Sequence, residues 1–457
     1  MAKNKYEIDM LSGPLWGKII RYAVPLMLSG ILQLFYNAAD NIVVGNFAAQ
    51  KEAALAAVTS TGALINLIVN LFIGLSVGTS IVVANYRGAG KSDDVSKTVH
   101  TSVTISLFFG VILMGVGIPL AKPLLSLMSS PDDVIDLAAV YVRIYFIGMP
   151  FNMVYNFGSA VLRAVGDTRR PMIILIISGA VNVVLNLIFV ILFHLDVAGV
   201  ALATITAQGI SAVMVVMCLI KSRGDTHLSV RKLGIDRQKL IELTRCGLPA
   251  GLQSTLFSIS NVLIQSTINS YGTAFVAGNG AACNLEGFVA CCTNSMYQAA
   301  LAFTGQNFGA KKPERIRETL KITLTYTQIF AVAGGLLLYS LGPVLIQLYC
   351  RGADESIIAA GVTRMGFILL PYFTCGTMDV MSGMMRGMGK TVLPMIVTLV
   401  GVCVVRVLWI AFVYPLNPVP GMLYVSYPMT WTLTSVVHIY CFIKEFKKEK
   451  RRMLSEA

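Results

Sequence analysis

Three acidic residues lie deep inside long apolar stretches of the sequence, where an ionised side chain is costly. They are Asp40, Glu286 and Asp379, out of 23 Asp and Glu residues in the chain. An acid in such a setting usually binds a cation, exchanges a proton or pairs with a buried base. For Asp40 we expect a cation or proton site, although Arg143 is an alternative partner. For Glu286 and Asp379, an ion pair with Arg406 and a contact with a substrate are both open.

Amides and hydroxyls recur at helical spacing in two apolar stretches of the first half. Asn182 and Asn186 are four residues apart and share one helix face, as do Thr204 and Gln208. If the helices alternate in direction across a membrane, Asn182, Asn186 and Thr204 all fall in the same outer half as Asp40. Oxygen ligands of this kind suit Na⁺, and a carboxylate by itself accepts a proton. The predicted cation-coupling site, with no other metal site in the chain, consists of Asp40, Asn182, Asn186 and Thr204.

Pro25 precedes Asp40 in the same apolar stretch. Proline removes one backbone hydrogen bond from a helix and makes it bendable, so we predict that Pro25 is the conformational hinge of the first helix. Six further polar or aromatic residues are candidates for the lining of a substrate cavity. They are Tyr36, Gln208, Gln253, Glu286, Asp379 and Arg406.

The elements that position these residues follow from an extreme composition. Of the 457 residues, 55% are hydrophobic and 13% are charged, and the mean hydropathy is +0.71. A soluble chain carries about 25% charged residues, and some 40% of it forms turns and irregular segments. A soluble fold therefore cannot bury this much apolar surface. The composition excludes a soluble enzyme, a disordered protein and a disulfide-rich secreted module, and it indicates a multi-pass helical membrane protein.

Twelve apolar stretches are each long enough, at roughly 20 residues, to cross a bilayer as a helix. Their predicted limits are 16–44, 54–84, 97–120, 134–158, 171–193, 198–220, 240–268, 274–304, 318–345, 356–384, 392–414 and 421–443. With both termini placed in the cytoplasm, 30 of the 36 Lys and Arg residues fall in cytoplasmic segments. Because this asymmetry follows the positive-inside rule, we predict cytoplasmic termini. The net charge of +13 then reflects topology and not nucleic-acid binding.

The two halves of the chain resemble each other. Pro25 corresponds to Pro249 at an offset of 224, "NYRGAGK" to "QNFGAKK" at 221, and "LRAVGDTRRP" to "MRGMGKTVLP" at 223. A nearly constant offset over separate motifs indicates two copies of a six-helix unit. We predict an N-lobe at 1–222, a cytoplasmic linker at 223–239 and a C-lobe at 240–457.

The even number of helices in each copy determines their symmetry. Both copies insert the same way up, so the pseudo-twofold axis that relates them runs along the membrane normal. The predicted fold is therefore an all-α membrane protein with twelve transmembrane helices in two six-helix bundles. Two like bundles that rock around a central cleft expose it to alternate sides. This architecture favours a secondary transporter over an enzyme.

With these motifs in this order, the chain resembles the MATE family, the multidrug and toxic compound extrusion transporters, and in particular its bacterial members. The resemblance rests on "AVPLMLSGILQLFYNAADNIVVGNF", "GTSIVVANYRGAGK" and "VLRAVGDTRRPM", and on "LAFTGQNFGAKKPERIR" and "MMRGMGKTVLPM" in the second half. It implies an antiporter that exports organic, often cationic, compounds in exchange for H⁺ or Na⁺. It implies no cofactor other than this coupling ion.

The resemblance also implies roles for residues of the first half. An Asp in the first helix near a bending Pro, here Asp40 and Pro25, belongs to the coupling site of similar prokaryotic members. Asn182 and Thr204 match the family pattern in the fifth and sixth helices. Asn186, however, stands where a second carboxylate is usual. One carboxylate fewer leaves less negative charge for Na⁺ and favours a single proton on Asp40.

The second half offers less for ion coupling. Around Gln253 the seventh helix carries no acid, so an ion site there is not expected unless Glu286 or Asp379 substitutes. Two other functions stay open: a flippase for a lipid-linked precursor, of the same superfamily, and a non-transporting membrane protein. The expected partners are small-molecule substrates and the lipid bilayer, without nucleic acid. We expect a monomer in the bacterial inner membrane.

Overall fold

The computed structural model describes residues 6–47, 51–127, 132–350 and 354–455, and its regular elements in these ranges are helices. The first half forms α1 (Trp16–Phe47), α2 (Lys51–Gly88), α3 (Ser92–Leu127), α4 (Asp132–Ile147 and Met149–Ala164), α5 (Arg169–Leu192) and α6 (Asp196–Ile220). Most of these helices are longer than the apolar stretches that predicted them, because each continues into the polar turns at its ends. The helix predicted at 54–84, for example, extends to Gly88.

The second half repeats this pattern. It forms α7 (Arg237–Asn269), α8 (Thr273–Gly309), α9 (Pro313–Ser340), α10 (Glu355–Ile368 and Tyr372–Gly387), α11 (Val392–Leu416) and α12 (Ser426–Ser455). A short helix, Gly342–Tyr349, follows α9, and another, Pro420–Tyr424, precedes α12. Over the described ranges, each of the twelve predicted stretches therefore corresponds to one helical segment.

Nine of these segments are apolar enough to cross a membrane by composition. In the described residues seven helices qualify singly, and α4 and α10 raise the number to nine when each bent pair is taken as one span. The other three, α7, α8 and α12, are long enough but more polar. In α8 the polar residues Asn279, Glu286 and Thr293 are buried. They face other protein groups, which explains why a hydropathy criterion misses this helix.

Two compact units divide the chain. The first consists of Met1–Ile8, Ile31–Arg87 and Lys91–Gly251, and the second of Asp9–Gly30, Gly88–Gly90 and Leu252–Ala457. The boundary passes through α1 after Gly30 and through α7 after Gly251. The first unit therefore includes the start of α7, the first helix of the second half. The second unit includes the start of α1, the first helix of the first half. The lobes predicted at 1–222 and 240–457 stay a prediction about the arrangement in the membrane.

Local irregularities recur in both halves at the offsets of the repeat. The two segments of α4 bend by 49° at Gly148 and those of α10 by 46°, in the matching sequences "FIGMP" and "FILLP". Gly166 and Gly389 follow these helices with φ values of 94° and 77°, a conformation that glycine adopts at low cost. π-helical turns lie at Ile188–Leu192 in α5 and, at the offset of 221, at Trp409–Val413 in α11. A second π-helical turn of α11, Leu399–Val404, precedes it. The sequence duplication is thus also a duplication of structure.

Candidate functional site

A cavity of about 380 Å³ lies inside the first unit. Five helices contribute to its wall: α1, α2, α4, α5 and α6. Among the described residues that line it, Asp40 is the sole charged side chain. Its polar and aromatic lining residues are Gln33, Tyr36, Asn37, Asp40, Tyr141, Tyr145, Asn152, Tyr155, Asn156, Ser178, Asn182, Thr204, Gln208 and Ser211. Two of the predicted substrate-cavity residues, Tyr36 and Gln208, therefore border the same space as Asp40.

The four residues of the predicted coupling site form one connected network beside this cavity. The Asn186 side-chain amide donates to Asp40 Oδ1 and, at 3.3 Å, to Asn182 Oδ1. The Asn182 amide donates to Thr204 Oγ1 at 3.5 Å. Asn186 and Asn182 are buried, whereas Asp40 is partly exposed. The carboxyl group thus lies where the protein network meets the cavity.

Helix geometry explains why α5 supplies two members of this network. Asn182 and Asn186 lie one turn apart on one face, as the spacing predicts. One turn earlier, a Cβ on Gly179 would overlap the ring of Tyr36, whose hydroxyl donates to the Ile176 carbonyl at 3.4 Å. A π-helical turn begins at Ile188, two residues after Asn186, and such turns are frequent at functional sites. The glycine therefore allows Tyr36 to pack on α5 at the cavity wall.

The environment of Asp40 suits reversible binding of a cation. Its neighbours in the network are neutral amides and a hydroxyl, so an ionised Asp40 keeps an uncompensated negative charge. Asn186 Oδ1 is buried without a hydrogen-bond partner in the described part of the chain, which leaves an oxygen atom available near the carboxylate. Arg143 is exposed, and the ion pairs among the described residues do not join it to Asp40. The alternative of an Asp40–Arg143 pair is therefore not supported.

In the second unit the embedded acid Glu286, unlike Asp40, has a basic partner. Arg364 donates from Nε and Nη2 to the two carboxylate oxygens of Glu286, both at 2.8 Å. Its remaining nitrogen, Nη1, donates to Asn279 Oδ1 at 2.9 Å, and the Tyr424 hydroxyl donates to the same oxygen at 2.8 Å. Arg364 and Glu286 are both buried. This is a saturated structural ion pair, and it replaces one of the two alternatives, the pairing of Glu286 with Arg406.

Arg406 is completely buried but has no acidic partner in the described residues. Its guanidinium lies 4.2 Å from the centre of the Tyr427 ring and donates to Thr430 Oγ1 at 3.2 Å. Of the two alternatives left open, the pairing of Arg406 with Glu286 or Asp379 is therefore not found among the described residues, and a contact with substrate stays a prediction. A cation over an aromatic face is stabilised by the ring quadrupole, which explains how this arginine is accommodated without a carboxylate.

The other two candidates of the second unit differ in their contacts. Gln253 accepts a hydrogen bond from Arg386 Nη2 at 2.7 Å, and Arg386 Nη1 donates to the Tyr297 hydroxyl at 2.6 Å. Asp379 is partly exposed in α10 and forms no salt bridge with a described Lys or Arg. Gln253 thus contacts the buried Arg386. Asp379 is a second embedded acid, and Arg386 acts on it electrostatically without a direct salt bridge.

Several residues of these sites were not anticipated from the sequence. Arg364 was not predicted as a partner of Glu286, because that pairing depends on how two helices are rotated. Tyr141, Tyr145 and Tyr155 also line the cavity and were missed. The spacing of Tyr141 and Tyr145 by four residues is a signal that could have indicated an aromatic helix face.

Comparisons with known proteins agree over both halves. The MatE family model matches residues 25–188 and 249–411. The chain is 27% identical to the probable multidrug resistance protein YoeA of Bacillus subtilis (strain 168) over 447 residues, which is 95% of each chain. It is 26% identical to the probable multidrug resistance protein YpnP of the same strain over 398 residues, or 87% of this chain and 88% of the relative.

The fold agrees as well. A crystal structure of a MATE protein in complex with MaL6 matches with a TM-score of 0.90 at 22% identity, over 98% of this chain and all of that one. The predicted class of twelve transmembrane helices is thereby confirmed. Since the family model covers both copies of the repeat, this chain belongs to the MATE family and is a multi-pass membrane transporter of small molecules, not an enzyme.

Proposed function

We propose that this protein is a secondary active antiporter that exports organic, cationic or amphipathic small molecules in exchange for H⁺ or Na⁺. The observation that carries the proposal is the isolated carboxyl group of Asp40 at the cavity of the first unit. An ionised carboxylate in neutral, partly desolvated surroundings favours any cation that reaches it. A coupling ion and a cationic substrate then compete for the same charge, and this competition is the physical basis of exchange.

A proton is the coupling ion that this geometry favours. Asp40 is the one acid among the described lining residues, and Asn186 stands where family members usually have a second one. A single proton neutralises a single carboxylate without further ligands. Sodium remains the alternative, since the oxygens of Asp40, Asn182 and Thr204, and the unpartnered Oδ1 of Asn186, are of the hard type that Na⁺ accepts.

The walls of the cavity suit varied organic substrates. Four tyrosines, Tyr36, Tyr141, Tyr145 and Tyr155, present rings and hydroxyls to it. Aromatic faces attract organic cations by cation–π interaction and also contact neutral apolar groups. The two Bacillus relatives are named as multidrug resistance proteins, in keeping with such a surface. A flippase for an anionic lipid-linked precursor would require basic groups, and the described lining of this cavity holds no Lys or Arg.

We further propose that Pro25 is the hinge that moves in response to the ion. Proline leaves the carbonyl one turn earlier without its helical partner. The Ser29 hydroxyl donates to the Pro25 carbonyl at 2.7 Å, and a side-chain bond of this kind favours bending. The helix is continuous through this point and passes from one compact unit to the other just beyond it, after Gly30. A small change in helix direction here would reposition Asp40.

The proposed setting is the bacterial inner membrane, with both termini in the cytoplasm and a monomer as the working unit. The test is transport of an organic cation in proteoliposomes under an imposed pH gradient or an imposed Na⁺ gradient. We expect flux under at least one gradient and its loss in Asp40→Asn, with Asp354→Asn, a change of an exposed acid before α10, as the control. Export by Asp40→Asn at the wild-type rate under both gradients would overturn the proposal.

A further inference from the structure

Two cavities adjoin each other on the surface of the first unit, apart from the coupling cavity. One, of about 380 Å³, is lined by residues of α5, of the end of α6 and by Tyr6. The other, of about 500 Å³, continues along α6 and reaches Phe151 of α4. Met214 and Met217 line both. The two cavities therefore form one groove, called here the α6 groove.

One end of the α6 groove is basic. Arg170 lies in the first turn of α5, and Lys221 directly follows α6. Arg170 is held in place by Asp167 at 3.0 Å and by the Tyr6 ring, whose centre lies 5.0 Å from the guanidinium. Lys221 is exposed and forms no ion pair with a described residue. At this end the groove therefore offers one positioned guanidinium and one uncompensated ammonium group.

The rest of the groove is apolar apart from Thr206. Its residues Phe151, Val213 and Met217 are 43%, 55% and 43% exposed. On a membrane protein such an apolar surface contacts lipid chains. Gly209 has no side chain, so the groove stays open beside the Phe151 ring. From Lys221 to Gly209 the helix rises by about 18 Å, close to the depth of one leaflet of a ~30 Å hydrocarbon core.

We propose that the α6 groove binds one anionic phospholipid. Its phosphate lies between Arg170 and Lys221, and one acyl chain follows α6 past Met217 and Met214 to Gly209. Basic groups at the end of an apolar groove between membrane helices match the charge and shape of such a lipid. The site concerns membrane lipid and does not depend on the coupling mechanism proposed above.

The second copy of the repeat provides a matched comparison. At the offset of 223, Arg170 corresponds to Leu393, Gly209 to Thr432 and Lys221 to Lys444. The second copy thus has a lysine at the position of Lys221, but no arginine at the position of Arg170 and no glycine at that of Gly209. Lys444 lies within α12, whereas Lys221 directly follows α6. Lys444 is therefore a control for an exposed lysine at the equivalent position, without the arginine and glycine of the α6 groove.

The experiment is native mass spectrometry of delipidated protein titrated with phosphatidylglycerol, or with phosphatidylcholine of the same chains. We expect wild type to bind one phosphatidylglycerol more tightly than phosphatidylcholine. Lys221→Glu and Arg170→Gln should each lower the affinity for phosphatidylglycerol about fivefold, since one cation near a membrane surface contributes about that much. Lys444→Glu should not. Lys221 is exposed, so its replacement tests the site without risk to folding.

Two further measurements distinguish the contribution of the lipid acyl chain from that of the headgroup. Gly209→Leu fills the groove and should weaken both lipids, and soluble glycerol phosphate should not compete at concentrations at which phosphatidylglycerol binds. Equal affinity of wild type and Lys221→Glu for phosphatidylglycerol would overturn the proposal. Competition by glycerol phosphate would also overturn it, because the site would then be one for free anions.

Discussion

Arg143 and Arg364 occupy the same position in the two copies of the repeat, yet their surroundings are opposite. They align at an offset of 221 in "VRIYFIGMP" and "TRMGFILLP". Arg364 is buried in its ion pair with Glu286, whereas Arg143 is exposed. At the same offset Glu286 corresponds to Ile65, a buried apolar residue. The arginine is therefore buried in the copy that has an acid opposite it and exposed in the copy that has an isoleucine there.

The coupling network shows the reverse difference. Asp40 corresponds to Ile264 at the offset of 224. The first π-helical turn of α11 adds one residue, so Asn182 corresponds to Arg406, which packs on Tyr427. Where the first copy has an acid and amides next to a cavity, the second has a packed arginine and apolar side chains. We therefore propose that ion coupling takes place in the first copy and not in the second.

The largest effect should separate the two aligned arginines. Arg364→Met removes one partner of a buried pair and leaves Glu286 uncompensated, which should cost about 3–5 kcal/mol of stability. Arg143→Met should change stability by less than about 0.5 kcal/mol, because Arg143 is exposed. The measurement is thermal unfolding of the purified variants in one detergent.

A double variant sharpens this test. In Glu286→Leu/Arg364→Met both charges are gone, so we expect most of the lost stability to return. A double variant as unstable as Arg364→Met alone would mean that the loss reflects packing and not the unpaired charge.

The next effect concerns the turns that follow α4 and α10, where Asp167 corresponds to Lys390. Asp167 lies outside the membrane-spanning segments, and burial raises its pKa to about 6, against the opposing effect of Arg170. The folded state then binds a proton more tightly than the unfolded state. The contribution of Asp167 to the free energy of unfolding is at most about 3 kcal/mol. This contribution is complete below about pH 4 and is lost as the pH rises to about 6.

Asp167→Asn should therefore remove that part of the decline in stability between pH 4 and pH 6. The measurement is the melting temperature as a function of pH for wild type and for Asp167→Asn. Parallel curves for the two proteins across this range would contradict the expectation.

A third variant transfers a residue of the second copy into the first. Asn186→Ile introduces the residue found at Ile410 and removes the hydrogen bond that Asn186 donates to Asp40. A hydrogen bond to a charged group contributes about 1.5–3 kcal/mol, so gradient-driven transport should fall about ten- to a hundredfold. Ile410→Val serves as the control. Unchanged transport by Asn186→Ile would remove Asn186 from the coupling site.

The smallest effect is expected at Lys390. Its ammonium group pairs with Glu449 at 2.8 Å and with Glu445 at 3.6 Å, but it is about one-third exposed. Partly exposed ion pairs contribute little, so Lys390→Met should lower stability by about 1 kcal/mol or less. A loss as large as that of Arg364→Met would show that exposure does not distinguish the two pairs. The measurement is the same thermal unfolding series.

The sequence was sufficient to predict the helices and the network around Asp40, but not the side-chain contacts of the second unit. Apolar length locates α1 to α12 because each must bury its backbone polar groups within itself. Depth and spacing were enough to bring Asp40, Asn182, Asn186 and Thr204 together. The role of Glu286 was left open, and its pairing with Arg364 was not predicted, because helix rotation decides which embedded arginine reaches it. The hydropathy of the sequence also does not indicate that α1 passes from one compact unit to the other.

The central claim is that one carboxyl group, in the first copy, couples ion to substrate. It is tested most directly by the protons released when the organic cation tetraphenylphosphonium binds to the purified protein in weakly buffered detergent solution. We expect about one proton per protein for wild type and for Asp379→Asn, and none for Asp40→Asn, since binding and proton release are linked at one site. Release that persists in Asp40→Asn, or that disappears in Asp379→Asn, would contradict the account.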